Sequence, residues 1–321
     1  MASNSKMLPL PISNQPYVHI SAIAGGHITL PDSAFVAPAN PTTKRYVPSL
    51  SFLITHPGIA SPSAILPDLP LNRPLRVLFD LGLRQDAKDY LDKQQNHLSS
   101  RKPYQLYPGV PQTLINNGIP LNSIDLIILS HVHYDHHGDP SLFTSAQFLL
   151  GPGALDVLKN GLPPELGSHQ IFQSDLLPMA RTTELPSPKA AEENLWNPLG
   201  PFPNTLDLLG DGTLFVVDTP GHLPGHINFL CRLFSSPSAD PRWICLAGDA
   251  FHDKRLLTGE REIGTWKDTE GRTCCIHLDR SKAEESIARL RELTEMGVEI
   301  VAAHDEGWER DNSHRFLPGH M

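Results

Sequence analysis

The chain has 321 residues, 40% of them apolar, with 26 basic and 35 acidic side chains and a formal net charge of −9. That length and apolar share suit one large α/β unit with a sizeable core. The acidic balance, with no basic run, argues against a nucleic-acid substrate, because phosphate binding needs clustered Lys and Arg. No stretch approaches the roughly 18 apolar residues of a membrane span, and the first residues lack a signal-type apolar core. A soluble, cytoplasmic protein acting on a small molecule is expected.

In chain order, residues 1–16 read as a polar tail and 17–321 as a single domain. Tyr17–Ile20, Ser51–Ile54 and Arg76–Asp80 suit strands. Asp86–Gln95 is charged and predicted helical, and Val110–Gly118 reads as a short helix closed by glycine. Leu126–Leu129 is a continuous apolar strand, and 153–160 a helix ended by Gly161. From about 161 to 204 the chain is Pro-rich, and the whole chain holds 31 prolines. An ordered, non-repetitive loop is expected there, a lid or a solvated insertion, with Phe172 and Trp196 facing substrate or plugging the core. Leu214–Val217, Ile244–Ala247 and Val298–Ala303 are further apolar strands. Ser281–Glu295 has helical spacing, with Asp279 or Ser281 as its cap and Glu284 completing a capping box on Ser281. The four cysteines, Cys231, Cys245, Cys274 and Cys275, do not resemble a disulfide framework and read as packing residues.

The most informative stretch is His131-Val-His133-Tyr134-Asp135-His136-His137-Gly-Asp139. Four imidazoles and two carboxylates directly follow a buried strand, and burying them together is costly unless something compensates their polarity. A bound cation does so, since neutral imidazole and carboxylate are both metal ligands. His131 and His133 are two apart and share one side of an extended segment. One metal or two remain open on this stretch alone. Three further strands each lead into a ligand type: Asp218 and the repeat Pro-Gly-His222-Leu-Pro-Gly-His226, then Gly248-Asp249, then His304-Asp305.

In these motifs the chain resembles the metallo-β-lactamase-fold hydrolase superfamily. Its His-x-His-x-Asp-His motif stands as His131, His133, Asp135 and His136, and Phe79-Asp80-Leu-Gly82 is similar to its early Asp-x-Gly turn. The resemblance implies an α/β (α+β) fold, a four-layer αβ/βα sandwich of two mixed sheets flanked by helices. It implies two divalent metals: His131, His133 and His226 on one, Asp135, His136 and His304 on the other, and Asp249 bridging. Zinc is the default for such a set, with iron, manganese or cobalt as alternatives. His222, His137 and Asp139 are expected beside the ligands rather than on the metals. Two close cations would make a bridging hydroxide a nucleophile at neutral pH for attack on a carbonyl.

Within the superfamily, Thr219-Pro-Gly-His222-x-Pro-Gly-His226 and Asp135 are most similar to the quorum-quenching lactonases, which open homoserine lactone rings. A tyrosine commonly follows their bridging Asp by three positions. Here that residue is His252, which departs from the pattern but can donate a hydrogen bond to a carbonyl or leaving group. Tyr134 is the alternative phenol near the metals. Asp135, His252 and Tyr134 are therefore the candidate catalytic groups. Lactone hydrolysis is the leading expectation. A cyclic amide or carbamate is the rival, since the layout also resembles fungal enzymes that open benzoxazolinones. Thioester hydrolysis and a non-catalytic metal scaffold remain as alternatives.

Overall fold

A computed structural model describes residues 7–163, 171–190, 195–234 and 242–321. Two six-stranded mixed sheets form its centre. The first contains β1 (His19–Pro31), β2 (Lys44–His56), β3 (Leu75–Phe79), β4 (Leu126–Leu129), β5 (Gln147–Leu150) and β6 (Thr182–Glu184), side by side in that order. Strands β1 to β3 pair antiparallel, and β3 to β6 pair parallel. The second contains β7 (Asn197–Leu199), β8 (Phe202–Asp207), β9 (Leu214–Asp218), β10 (Ile227–Leu233), β11 (Arg242–Leu246) and β12 (Glu299–Val301), in the order β12-β11-β10-β9-β8-β7. There only β11 and β12 pair parallel.

The apolar runs follow from burial on both faces. In β4, Leu126 and Ile128 enter the core between the sheets, while Ile127 and Leu129 pack outward. Helix α1 (Asp92–Ser99) buries Leu98 in the cluster that holds Ile28, Tyr90 and Tyr134, while outside the first sheet α2 (Gly109–Asn116) and α3 (Ala154–Asn160) contribute Val110, Leu114, Val157 and Leu158 to its outer core. A strand buried on both sides cannot alternate polar and apolar residues, which is why β4 reads as a continuous apolar run. On the outer face of the second sheet, α4 (Lys254–Thr258) and α5 (Arg280–Glu295) cover Val217, Leu230 and Cys245. Between the sheets, the Phe79 and Phe229 rings stack with centroids 5.8 Å apart. Truncating either to Ala would cost about 3–5 kcal/mol. This is the expected sandwich of two mixed sheets with flanking helices.

Several local expectations are revised. The helix placed at 86–95 begins at Asp92, because Asp86 instead caps a short 3-10 turn by accepting from the Lys88 amide. Helix α5 is capped by Asp279, which accepts from Lys282, and Glu284 takes Arg280 rather than closing a box on Ser281. The Pro-rich segment is not loop throughout: it supplies β6 to one sheet and β7 and β8 to the other. Trp196 donates its Nε1 to Pro186 O and packs against the core between the sheets. A final helix, α6 (Glu306–Asp311), follows β12. The tail is docked where described, with Pro9 O accepting from Arg232 and Gln15 donating to Asp211 O. No helix among the described residues is long and apolar enough to cross a membrane.

Candidate metal centre

The centre forms where strands of both sheets end. After β3, Asp80 takes a left-handed turn at φ 60°, and Gly82 follows at φ 64°. A Cβ on Gly82 would meet Gly25 O at 2.4 Å, so only glycine fits where this turn crosses the bulge in β1. The turn aims the Asp80 carboxylate at the end of β4. Its Oδ1 accepts from the Ser130 amide at 2.6 Å, and its Oδ2 lies 2.7 Å from Ser130 Oγ and 2.8 Å from His136 Nδ1. With Nδ1 so engaged, His136 presents Nε2 to the centre. His304, after β12, is held similarly, its Nδ1 2.7 Å from Pro48 O. His131 Nδ1 lies 3.0 Å from Ser130 Oγ.

Asp249, in the turn after β11, sits in the middle. Its Oδ1 lies 3.3 Å from His136 Nε2 and 3.3 Å from His304 Nε2, and His304 Nε2 is 3.6 Å from Asp135 Oδ2. Its Oδ2 lies 3.7 Å from His131 Nε2 and 3.4 Å from His222 Nε2. His133 Nδ1 completes that side, 2.8 Å from His131 Nε2 and 3.1 Å from His222 Nε2. A buried group of four donors, His131, His133, His222 and Asp249, thus adjoins a group of three, Asp135, His136 and His304, and the second oxygen of Asp249 faces the two imidazoles of the latter. A tetrahedral ion with bonds of roughly 2.1 Å has ligand atoms about 3.4 Å apart, close to these separations. The lone pairs of converging imidazoles repel unless a cation or protons lie between them, and neither His136 Nε2 nor Asp249 Oδ1 makes a well-formed hydrogen bond. The donor set fits two divalent ions.

The electrostatics favour the ligating forms on the first side. Burial, and then the neighbouring imidazoles His136 and His133, hold His131 well below the ordinary histidine range. Burial and His131 do the same for His222. Burial opposes ionisation of Asp249, yet the surrounding His136, His252 and His304 keep it well below the carboxylate range. Neutral imidazoles and an ionised carboxylate are what a metal requires.

One placement differs from expectation. His226 was expected beside His131 and His133, but the structure brings His222 there. Asp218 and Ile227 pair across the β9–β10 hairpin, so His226 sits at the base of the intervening loop. Its Nδ1 is 3.0 Å from Thr219 O, and its Nε2 accepts the Asp249 amide at 3.1 Å. Both ring nitrogens are therefore occupied. His222 rides higher on the loop, where Gly221 at φ 134° lies against α5 and a Cβ would meet Ala283 N at 2.3 Å.

The other expected groups divide. His252 Nε2 lies 3.0 Å from Asp249 Oδ2, within the centre, and burial lowers its pKa against the pull of Asp249. Tyr134 is buried, forms an edge-to-face contact with Tyr90, and lines the cavity above the donors. His137 is buried with its Nδ1 on Gly138 O, its pKa pushed down to about 3 by burial and by Arg84. Asp139 caps the 140–142 turn, accepting from the Ser141 amide and hydroxyl. Phe172 stacks over His133 with ring centroids 5.9 Å apart, so of the two aromatic candidates it is the one at the site. His277 was missed. It is buried, its ring is 5.1 Å from His222 and 5.4 Å from His252, and neither nitrogen has a hydrogen-bond partner among the described residues. Nothing in Cys274-Cys275-Ile276-His277 marks it in the sequence.

A family model described as the metallo-beta-lactamase superfamily matches residues 76–238, from β3 past the His222 loop. The chain belongs to the metallo-β-lactamase superfamily. Its buried His and Asp side chains form donor groups able to hold metal ions. Relatives include the cytochrome P450 monooxygenase mpaDE of Penicillium roqueforti, 31% identical over 186 residues, or 56% of this chain and 21% of that protein. The gamma-lactamase FDB1 of Fusarium pseudograminearum is 30% identical over 187 residues, 55% of this chain and 41% of that one. The matched region thus spans less than half the length of either. Among solved structures, a quorum-quenching N-acyl homoserine lactone lactonase superposes with a TM-score of 0.64 at 18% identity, covering 96% of this chain and all of that one. This is a likeness of metallo-β-lactamase folds.

Proposed function

We propose that the chain opens a cyclic acyl compound by hydrolysis, a lactone first and a lactam as the second reading. The observation carrying this is Asp249, whose two carboxylate oxygens face separate donor groups at the floor of one cavity. We assign one ion to His131, His133 and His222, the other to Asp135, His136 and His304, with Asp249 shared. Two bound divalent ions would supply a hydroxide nucleophile near pH 7 and polarise the ring carbonyl.

The chain's own side chains do the rest. To His252, whose Nε2 lies 3.0 Å from Asp249 Oδ2, we assign the hydrogen bond to the carbonyl or the leaving atom. An expelled alkoxide asks less of such a donor than an expelled amine anion, which favours the cyclic ester. The similarity to a gamma-lactamase favours the cyclic amide. Tyr134 and Phe35 line the walls and exclude water around the ring.

The test is a panel of lactones, lactams and thioesters on protein whose metal content is measured in the same sample. Turnover of ring substrates at about two metals per chain is expected. Metal-replete protein inert to the whole panel would overturn the reading.

A further inference from the structure

The cavity above Asp249 holds a cation that the metal chemistry does not use. Arg101 lines it, facing Tyr134 and an apolar wall of Ile28, Leu30, Phe35 and Ile276. Its guanidinium Nε donates to His97 Nε2 at 3.3 Å, and the Tyr134 phenol lies against it. Burial, and next the Arg101 charge, push the His97 pKa down to about 4, so this imidazole is neutral and accepts. His97 in turn packs edge-to-face on Tyr134, with ring centroids 5.3 Å apart. Arg101 is thus steered from two sides.

What it lacks is an anion. The part-buried Arg45, Arg255 and Arg315 each pair with Asp or Glu, and Arg84, Arg181 and Arg232, which have no carboxylate, give their N–H groups to carbonyl or amide oxygens instead. No such pair engages Arg101 among the described residues, in a chain with 35 acidic side chains. A half-buried guanidinium has lost part of its hydration, and its terminal N–H groups form a planar fork suited to a carboxylate. Beside it the wall is apolar.

We propose that Arg101 is a carboxylate subsite, so that the substrate is an apolar ring compound bearing an acidic substituent away from the scissile carbonyl. This rests on the ring-opening reading. The apolar body would lie against Ile28, Leu30, Phe35 and Ile276, with the carbonyl at the metals and the substituent at Arg101.

The test uses two γ-lactones with alkyl chains of equal length, one neutral and one ending in a carboxylate, on the zinc-loaded protein. The wild type should favour the acid in kcat/KM by about tenfold or more, expressed in KM, as hydrogen bonds to charged groups contribute. Arg101→Met should bring the ratio near one, Arg101→Lys should retain part of it, and added salt should lower it in the wild type. A wild-type ratio near one, or equal losses on both lactones in Arg101→Met, would overturn the subsite; equal losses would mean that Arg101 acts on the carboxylate made by hydrolysis. If neither lactone is opened, the ring-opening reading fails separately, and calorimetric binding of the same pair decides. Tighter binding of the acid in wild type but not in Arg101→Met supports the subsite. No difference overturns it.

Discussion

The two halves of the centre are built from the same residue types but held differently. Around Asp135, His136 and His304, the far nitrogens of both imidazoles rest on buried oxygens, Asp80 Oδ2 at 2.8 Å and Pro48 O at 2.7 Å. Around His131, His133 and His222, His131 has the Ser130 hydroxyl, but His222 Nδ1 has no hydrogen-bond partner among the described residues. A carboxylate or carbonyl on the outer nitrogen fixes the ring and raises its basicity as a ligand. The half anchored by Asp80 and Pro48 is therefore the stiffer one, and the half containing His222 has more freedom to adjust.

Four substitutions break or sharpen this contrast. Asp249→Ala has the largest expected effect, since it removes an oxygen from both halves at once. Metal analysis should show both ions lost together with all turnover, and retention of two ions would refute the shared carboxylate. His222→Ala should lose one ion and keep the other, and loss of neither would return the role to His226. Asp80→Asn keeps the shape but removes the charge behind His136. Its second-half metal affinity should fall roughly 10–100-fold in competition with a chelator, while the first half changes less. His226→Ala should have the smallest effect on metal content. Losing its hydrogen bond to the Asp249 amide should appear instead as about 1–3 kcal/mol of stability in denaturant unfolding, and a stoichiometric loss of metal would contradict that.

Acid should separate folding from metal binding less cleanly. Asp249 is ionised well below the usual range, so its contribution to stability is present above the unfolded carboxylate pKa and lost as pH falls through the lower folded value. His131, His133, His222 and His226 have lowered values, so protonation on unfolding also favours the unfolded state in acid, outnumbering His136 and His304, which, against burial, Asp249 raises and which act in the opposite sense. Metal-free protein should therefore lose stability progressively below about pH 6, where unfolded histidine begins to charge. A flat stability profile from pH 7 to 4 would contradict these assignments.

Much of this was legible along the chain because burial on both faces leaves a direct trace. Leu126–Leu129 is apolar at every position since each alternate side chain meets a different core, and the polar cluster that follows it stands out by contrast. The same holds where Ile244–Ala247 leads to Asp249 and where β12 leads to His304. The short strands Thr182–Glu184 and Asn197–Leu199 were not legible, because edge strands of three residues need little apolar content and the prolines around them read as loop. His277 carries no local pattern and meets His222 and His252 only in the fold, and Arg101, though it donates to His97 four residues earlier, reaches Tyr134 and the cavity wall only through the fold.

The sequence by itself determined the apolar strands, the residue types of the centre and the strand ends that carry them, because hydrophobic periodicity and ligand spacing are local properties, and the sandwich followed from the family resemblance those motifs carry. Only the tertiary structure decided between His222 and His226. Both stand in identical Pro-Gly-His triplets four residues apart, so no local rule separates them. The hairpin register that pairs Asp218 with Ile227 places one imidazole beneath the Asp249 amide and leaves the other free to reach His133.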